Sequence, residues 1–89
     1  MQITLRYYAA AQAAAGVDAE HLEVPDGATL ADALEAVRAV VRRPRDGAPQ
    51  LADVLRRCSF LVNEVAAKDP ARPLAAGDQV DVLPPFAGG

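Results

Sequence analysis

The residues best suited to chemistry stand at the end of the chain, in the run VLPPFAGG, residues 82–89. Gly89 brings an α-carboxylate that is ionised at neutral pH, and Gly88 beside it has no side chain. Such a carboxylate is a poor acyl donor, because its charge is delocalised and oxide leaves badly. Adenylation by ATP would install a good leaving group. Attack by a persulfide would then lead to a thiocarboxylate, whose sulfur is a soft nucleophile. A carboxyl group with only glycine behind it can approach a nucleotide and a thiol closely. Pro84 and Pro85 fix φ and offer no amide donor, so they end sheet pairing and stiffen the exit of the tail. Ala87, Gly88 and Gly89 are narrow enough to thread a tunnel in another protein. The tail, residues 84–89, is therefore expected to leave the fold as an extended arm, mobile when unbound.

No other part of the chain offers a comparable site. His21 is the one histidine and lies on the polar side of an alternating segment, where a solvated surface role is expected. No second histidine or cysteine cluster is present to build a zinc site, so no metal is expected. Cys58 and Ser59 have no base within local reach, and a triad would need His21 by coincidence. Cys58 opens an apolar strand, where a free cysteine usually serves as a small core residue. Phosphate loops and dinucleotide fingerprints are absent. The chain is not expected to be a self-sufficient enzyme or to hold a cofactor stably.

The elements that must position the tail can be read from hydrophobic spacing. QITLRYY alternates, with Ile3, Leu5 and Tyr7 on one face and Gln2, Thr4, Arg6 and Tyr8 on the other, which predicts a strand. The alanine-rich run that follows, closed by Gly16, predicts a short helix. AEHLEV alternates again with Leu22 and Val24 inward, and PDG turns the chain. Thr29 can cap a helix whose third residue is Asp32. Leu30, Leu34, Val37 and Val41 then form one apolar stripe. Arg42 to Pro49 predicts an exposed basic loop, for which the sequence gives no role. QLADVLRR suggests a second short helix, and SFLVNEVAA a strand pair broken near Asn63 and Glu64. ARPLAAGD predicts loop and turn, and QVDVL the last strand, with Val80 and Val82 inward.

One main helix crossing one mixed sheet is the β-grasp plan, an α+β fold of ubiquitin-like type, with the first and last strands parallel at the centre. That adjacency would put Arg6 and Tyr8 beside Asp81 and Leu83 on the outward face. Tyr8 and Leu83, joined by Phe86, would form an exposed apolar patch next to the tail, of the kind that marks a partner surface.

Size and composition agree. The chain has 89 residues, 52% of them apolar, enough for one domain spanning 1–89 with a Leu, Val and Ala core. A net charge of −3 with scattered arginines argues against nucleic acid. No apolar run approaches the roughly 20 residues of a membrane span. MQITLRYY lacks the character of a signal peptide, and one cysteine excludes an internal disulfide framework. A soluble, cytoplasmic protein is the expectation.

Over nearly its whole length the chain resembles the small, sulfur-carrying subunits of molybdopterin synthase, ubiquitin-like sulfur carriers of the MoaD/ThiS kind. LRYYAAAQAAAG looks like that family's opening strand and helix, FLVNEV its middle strand, and AAGDQVDVLPPFAGG its terminal signature. The resemblance implies that Gly89 carries the thiocarboxylate, with Gly88 giving access. It implies that Pro84, Pro85, Phe86 and Ala87 insert into a catalytic large subunit. Tyr8 and Leu83 match the apolar interface used with both partners. Those partners would be the large synthase subunit and an ubiquitin-activating-like adenylyltransferase using ATP and magnesium, with a sulfur donor protein behind it. The pair of subunits would place two sulfurs into cyclic pyranopterin monophosphate. A carrier for thiazole or cysteine synthesis, a ubiquitin-like modifier and a plain β-grasp binding module are the competing readings. Lys68, the one lysine, would be the single branch point of any lysine-linked chain.

Overall fold

The computed structural model describes residues 1–85. The elements follow as β1 (Gln2–Tyr7), α1 (Ala9–Ala15), β2 (Ala19–Glu23), α2 (Leu30–Ala39), α3 (Leu51–Leu55), β3 (Ser59–Val62), β4 (Val65–Ala66) and β5 (Gln79–Leu83). The strands form one sheet in the order β2-β1-β5-β3-β4. Only β1 and β5 are parallel; the other neighbours run antiparallel. The first and last strands therefore lie side by side at the centre, as the β-grasp reading of the sequence requires.

Alternation fixes which way each strand faces. Ile3, Leu5 and Tyr7 of β1, Val80 and Val82 of β5 and Val62 of β3 are buried on one face of the sheet. A slip of one residue would turn all of them outward, so the register is strongly specified. Leu30, Ala33, Leu34 and Val37 supply the facing stripe of α2 and join the same core cluster. The start of α2 is set by a reciprocal capping box. Thr29 Oγ1 accepts from Asp32 N at 3.2 Å, and Asp32 Oδ2 accepts from Thr29 N at 2.9 Å.

The expected stripe runs one residue too far. Helix α2 stops at Ala39, and Val40 at its C-terminal cap is already extended, with ψ 131°. Val41 is consequently out of helical phase and 97% exposed. Two β-branched residues before Arg42, and a proline at 44 that disfavours helix in Arg43, give the chain reason to leave there.

The basic loop also departs from expectation at one position. Arg43, Pro44, Arg45, Asp46 and Gly47 are exposed, but the side chain of Arg42 is 9% exposed. Its Nη2 donates to Glu20 Oε2 at 2.5 Å and to Val37 O at 3.0 Å. Its guanidinium carbon lies 5.5 Å from the centre of the Tyr7 ring. The long aliphatic stem lets the charge reach beneath the loop to a carboxylate on β2. Arg45 N donates to Ala13 O at 2.9 Å, so the loop is also held to α1.

Candidate functional site

The tail is rooted on a central strand. Leu83 closes β5 opposite Ser59 of β3, and Val82 is paired with Tyr7 on the other side. A root bonded on both flanks fixes the direction in which the chain leaves the sheet. Leu83 and Pro84 are half-buried, and Pro85 is exposed. Both prolines line an open groove of about 350 Å³ together with Ala10, Val54 and Arg57. Phe86, Ala87, Gly88 and Gly89, on which the expected tail chemistry turns, lie outside the described residues.

The outward face beside the root carries Tyr8 and Leu83, the described members of the expected apolar patch, next to an ion pair. One step beyond the Tyr7–Val82 pair, Tyr8 and Leu83 fall at the same end of the two central strands. Tyr8 keeps extended backbone, φ −125° and ψ 150°, and is 39% exposed. Leu83 is only half-buried, so it contributes partially to such a surface. One pair inward stand Arg6 and Asp81, directly opposite each other. Asp81 is 3% exposed despite lying on the face away from the core. Arg6 covers it: Nε donates to Oδ1 at 2.7 Å and Nη2 to Oδ2 at 2.9 Å. The hydrogen bond to Asp81 raises the pKa of Arg6 above its ordinary value. The guanidinium carbon is 6.0 Å from the centre of the Tyr8 ring. The face therefore holds an exposed aromatic, an aliphatic and a fixed ion pair; sequence reading placed all four residues there but counted only Tyr8 and Leu83 toward a partner surface. Opposite charges at Arg6 and Asp81, combined with the parallel register, were the available signal.

The remaining reactive residues are kept apart. His21 is exposed on β2, with Nδ1 3.0 Å from Thr4 Oγ1. Cys58 and Ser59 stand at the start of β3, three strands over from β2 across β1 and β5. At roughly 4.8 Å per strand spacing that separation is about 14 Å, too far for a proton relay. Cys58 is partly buried against the core, and Sγ donates to Val54 O at 3.2 Å. Burial pushes its thiol up to about 11, which suppresses the thiolate. Among the described residues no group of three His, Cys, Asp or Glu side chains could hold a metal ion. No helix of the described residues is long and apolar enough to cross a membrane.

Comparison with known proteins places these features in a lineage. Residues 5–89 match the model of the ThiS family. The molybdopterin synthase sulfur carrier subunit of Chlamydomonas reinhardtii is 33% identical over 90 residues, covering all of both chains. The crystal structure of SAMP1 from Haloferax volcanii superposes with a TM-score of 0.73 at 25% identity, again covering all of both chains. A complex of subunits 1 and 2 of molybdopterin-converting factor from Helicobacter pylori contains a chain of the same fold. That chain gives a TM-score of 0.68 at 19% identity over the full length of both.

Proposed function

The chain belongs to the ThiS family, and from that premise we propose that it is a sulfur carrier working through Gly89, as the small subunit of a molybdopterin synthase. The observation that carries this reading is the full-length likeness to the Chlamydomonas reinhardtii subunit, which spans the core and the Pro-Pro-Phe-Ala-Gly-Gly ending alike. In this reading residues 84–89 are the working arm of a single unit, 1–89.

The chemistry follows from the terminal carboxylate. An ubiquitin-activating-like adenylyltransferase, with ATP and magnesium, joins Gly89 to AMP and releases pyrophosphate. The terminal sulfur of a persulfide on a donor protein attacks the acyl carbon, and AMP leaves. A further thiol then cleaves the sulfur–sulfur bond, being oxidised to a disulfide, and the thiocarboxylate remains on Gly89. Gly88 keeps the approach to the reacting carbon open. The loaded arm enters the large synthase subunit, with Pro84 and Pro85 holding it straight and Phe86 and Ala87 in the entry. Tyr8 and Leu83, at the root, meet the surface of that subunit and of the adenylyltransferase in turn. The sulfur is delivered to cyclic pyranopterin monophosphate, and the substrate pocket belongs to the large subunit. All of this takes place in the cytoplasm, where the ATP and persulfide pools lie.

Intact mass of the protein purified from its own host tests the reading. Exchange of one oxygen for sulfur, mapped to Gly89, is the expected result. A carboxylate throughout, even after incubation with ATP, a sulfur donor and the host adenylyltransferase, would overturn it. Isopeptide adducts through Gly89 in the same preparation would point instead to a protein modifier.

A further inference from the structure

Arg6 and Asp81 are fixed to each other by one edge of the guanidinium, which leaves the other edge free. An arginine has five N–H donors in a planar fork. The bonds from Nε and Nη2 to Asp81 use two of them. The remaining three, one on Nη2 and two on Nη1, make no hydrogen bond among the described residues. Nη1 and Nη2 together form an edge that matches a carboxylate with two parallel N–H···O bonds. Glu64, in the turn between β3 and β4, adds to the field at Arg6 but forms no ion pair with it within 4 Å.

The pair is built more rigidly than strand pairing needs. It spans the two central strands of the sheet. The Asp81 side chain is 5% exposed, that of Arg6 36%. Asp81 thus serves as a buried support, while Arg6 carries a positive charge in a set orientation to the surface. An ion pair whose cation is open to solvent contributes little to stability. An ordered arginine beside an exposed tyrosine is, by contrast, the composition of an interface centre. Its side-chain freedom is already lost before any partner arrives.

The geometry points to Arg6 as the charged anchor of the docking face, taking an Asp or Glu carboxylate of the partner on its free edge. Tyr8 and Leu83 make apolar contact alongside. The inference rests on the docking role assigned above to this face, and it specifies the partner chemistry: an acidic side chain set within an apolar surface. Asp81 is a positioning residue, since it acts by holding Arg6.

Titration calorimetry with the host's large synthase subunit, at low and high salt, tests the anchor. The variant R6Q/D81N keeps a polar cross-strand pair and removes both charges. It is expected to bind at least tenfold more weakly than the unaltered chain, with a shallower salt dependence. The variant R6K leaves Asp81 paired and is expected to lose several-fold, because an ammonium cannot grip two carboxylates through two edges. R6K decides the question alone should the double variant melt early. Binding of both variants within twofold of the unaltered chain, with the same salt dependence, would overturn the anchor and leave the docking role standing. Absence of binding by the unaltered chain would overturn both. A salt-sensitive dimer of this chain alone, lost in R6K, would overturn the acidic partner and assign the face to a second copy.

Discussion

The guanidinium of Arg42 lies 2.5 Å from the carboxylate of Glu20, joining the loop after α2 to the edge strand β2. The same guanidinium covers the ring of Tyr7, whose hydroxyl donates to Glu20. Desolvation raises the pKa of Tyr7 above its ordinary value, and the bond to Glu20 adds to the rise. A residue 22 positions away in sequence thus completes the wall of the core beneath β1.

Removing that cation leaves a carboxylate and a hydroxyl facing a void. Arg42→Ala is expected to cost about 2 kcal/mol, below the 3–5 kcal/mol of a fully buried pair because the cluster reaches the surface. Urea unfolding measures it. A change under about 0.5 kcal/mol would show that the cluster adds nothing to the fold. Arg42→Lys should recover only part of the loss, because one ammonium cannot meet Glu20 and Val37 O while lying over Tyr7.

Most of the fold was legible because it is local. The alternation in QITLRYY and QVDVL, the Thr29 cap and the left-handed turn at Asn63 and Glu64, φ 51° and 69°, are each written within a few residues. The errors are of two kinds, a local exit signal outweighed by spacing and an outcome that two distant segments decide together. Val41 fits the α2 stripe by spacing, yet the chain has already turned away. Arg42 reads as a loop charge because Glu20 and Tyr7 are invisible to its neighbours. Of the site, Tyr8 and Leu83 were legible from face and strand order, whereas the burial of Asp81 depends on what Arg6 does across the strand.

Gly16 is fixed by the same loop. Its φ is +79°, and a Cβ there would lie 2.2 Å from the carbonyl oxygen of Arg43. Gly16→Ala therefore combines left-handed strain of about 1–2 kcal/mol with displacement of a backbone segment. A total of about 3 kcal/mol is expected. Gly27→Ala is the control, since its φ is +83° but nothing lies within 4 Å of the added carbon. It should cost about 1 kcal/mol. Equal losses in the two variants would show that the approach of Arg43 relaxes freely.

Cys58 should be slow to react. With its pKa moved from 9.0 to about 11 by burial, the thiolate fraction at pH 8 falls about 100-fold. Iodoacetamide labelling of the folded protein should be slower than that of the urea-unfolded chain by about that factor. The folded state binds the thiol proton more tightly than the unfolded state. The contribution to stability is thus complete below pH 9 and is lost as pH rises through 11. Cys58→Ala should remove that part of the alkaline loss. Labelling at equal rates in folded and unfolded protein would refute the burial argument and leave the thiol reactive enough for sulfur transfer.

Removing Gly88 and Gly89 should separate the arm from the fold. The core cluster of the described residues runs from Ile3 to Val82 and is closed by the pairing of β5 with β1 and β3. Neither glycine brings a side chain to bury, so the melting temperature should change by no more than about 2 °C, equivalent to less than about 0.5 kcal/mol for a chain of this size. Affinity for the large subunit through Arg6, Tyr8 and Leu83 should persist at reduced strength, because the face at the root is intact. Formation of the thiocarboxylate should fall to zero, since the truncated chain ends on Ala87, whose methyl group stands beside the carboxyl to be activated. Sulfur incorporation at Ala87 at the unaltered rate would show that the adenylyltransferase reads the face alone, and that the two glycines are not what makes this carboxyl reactive.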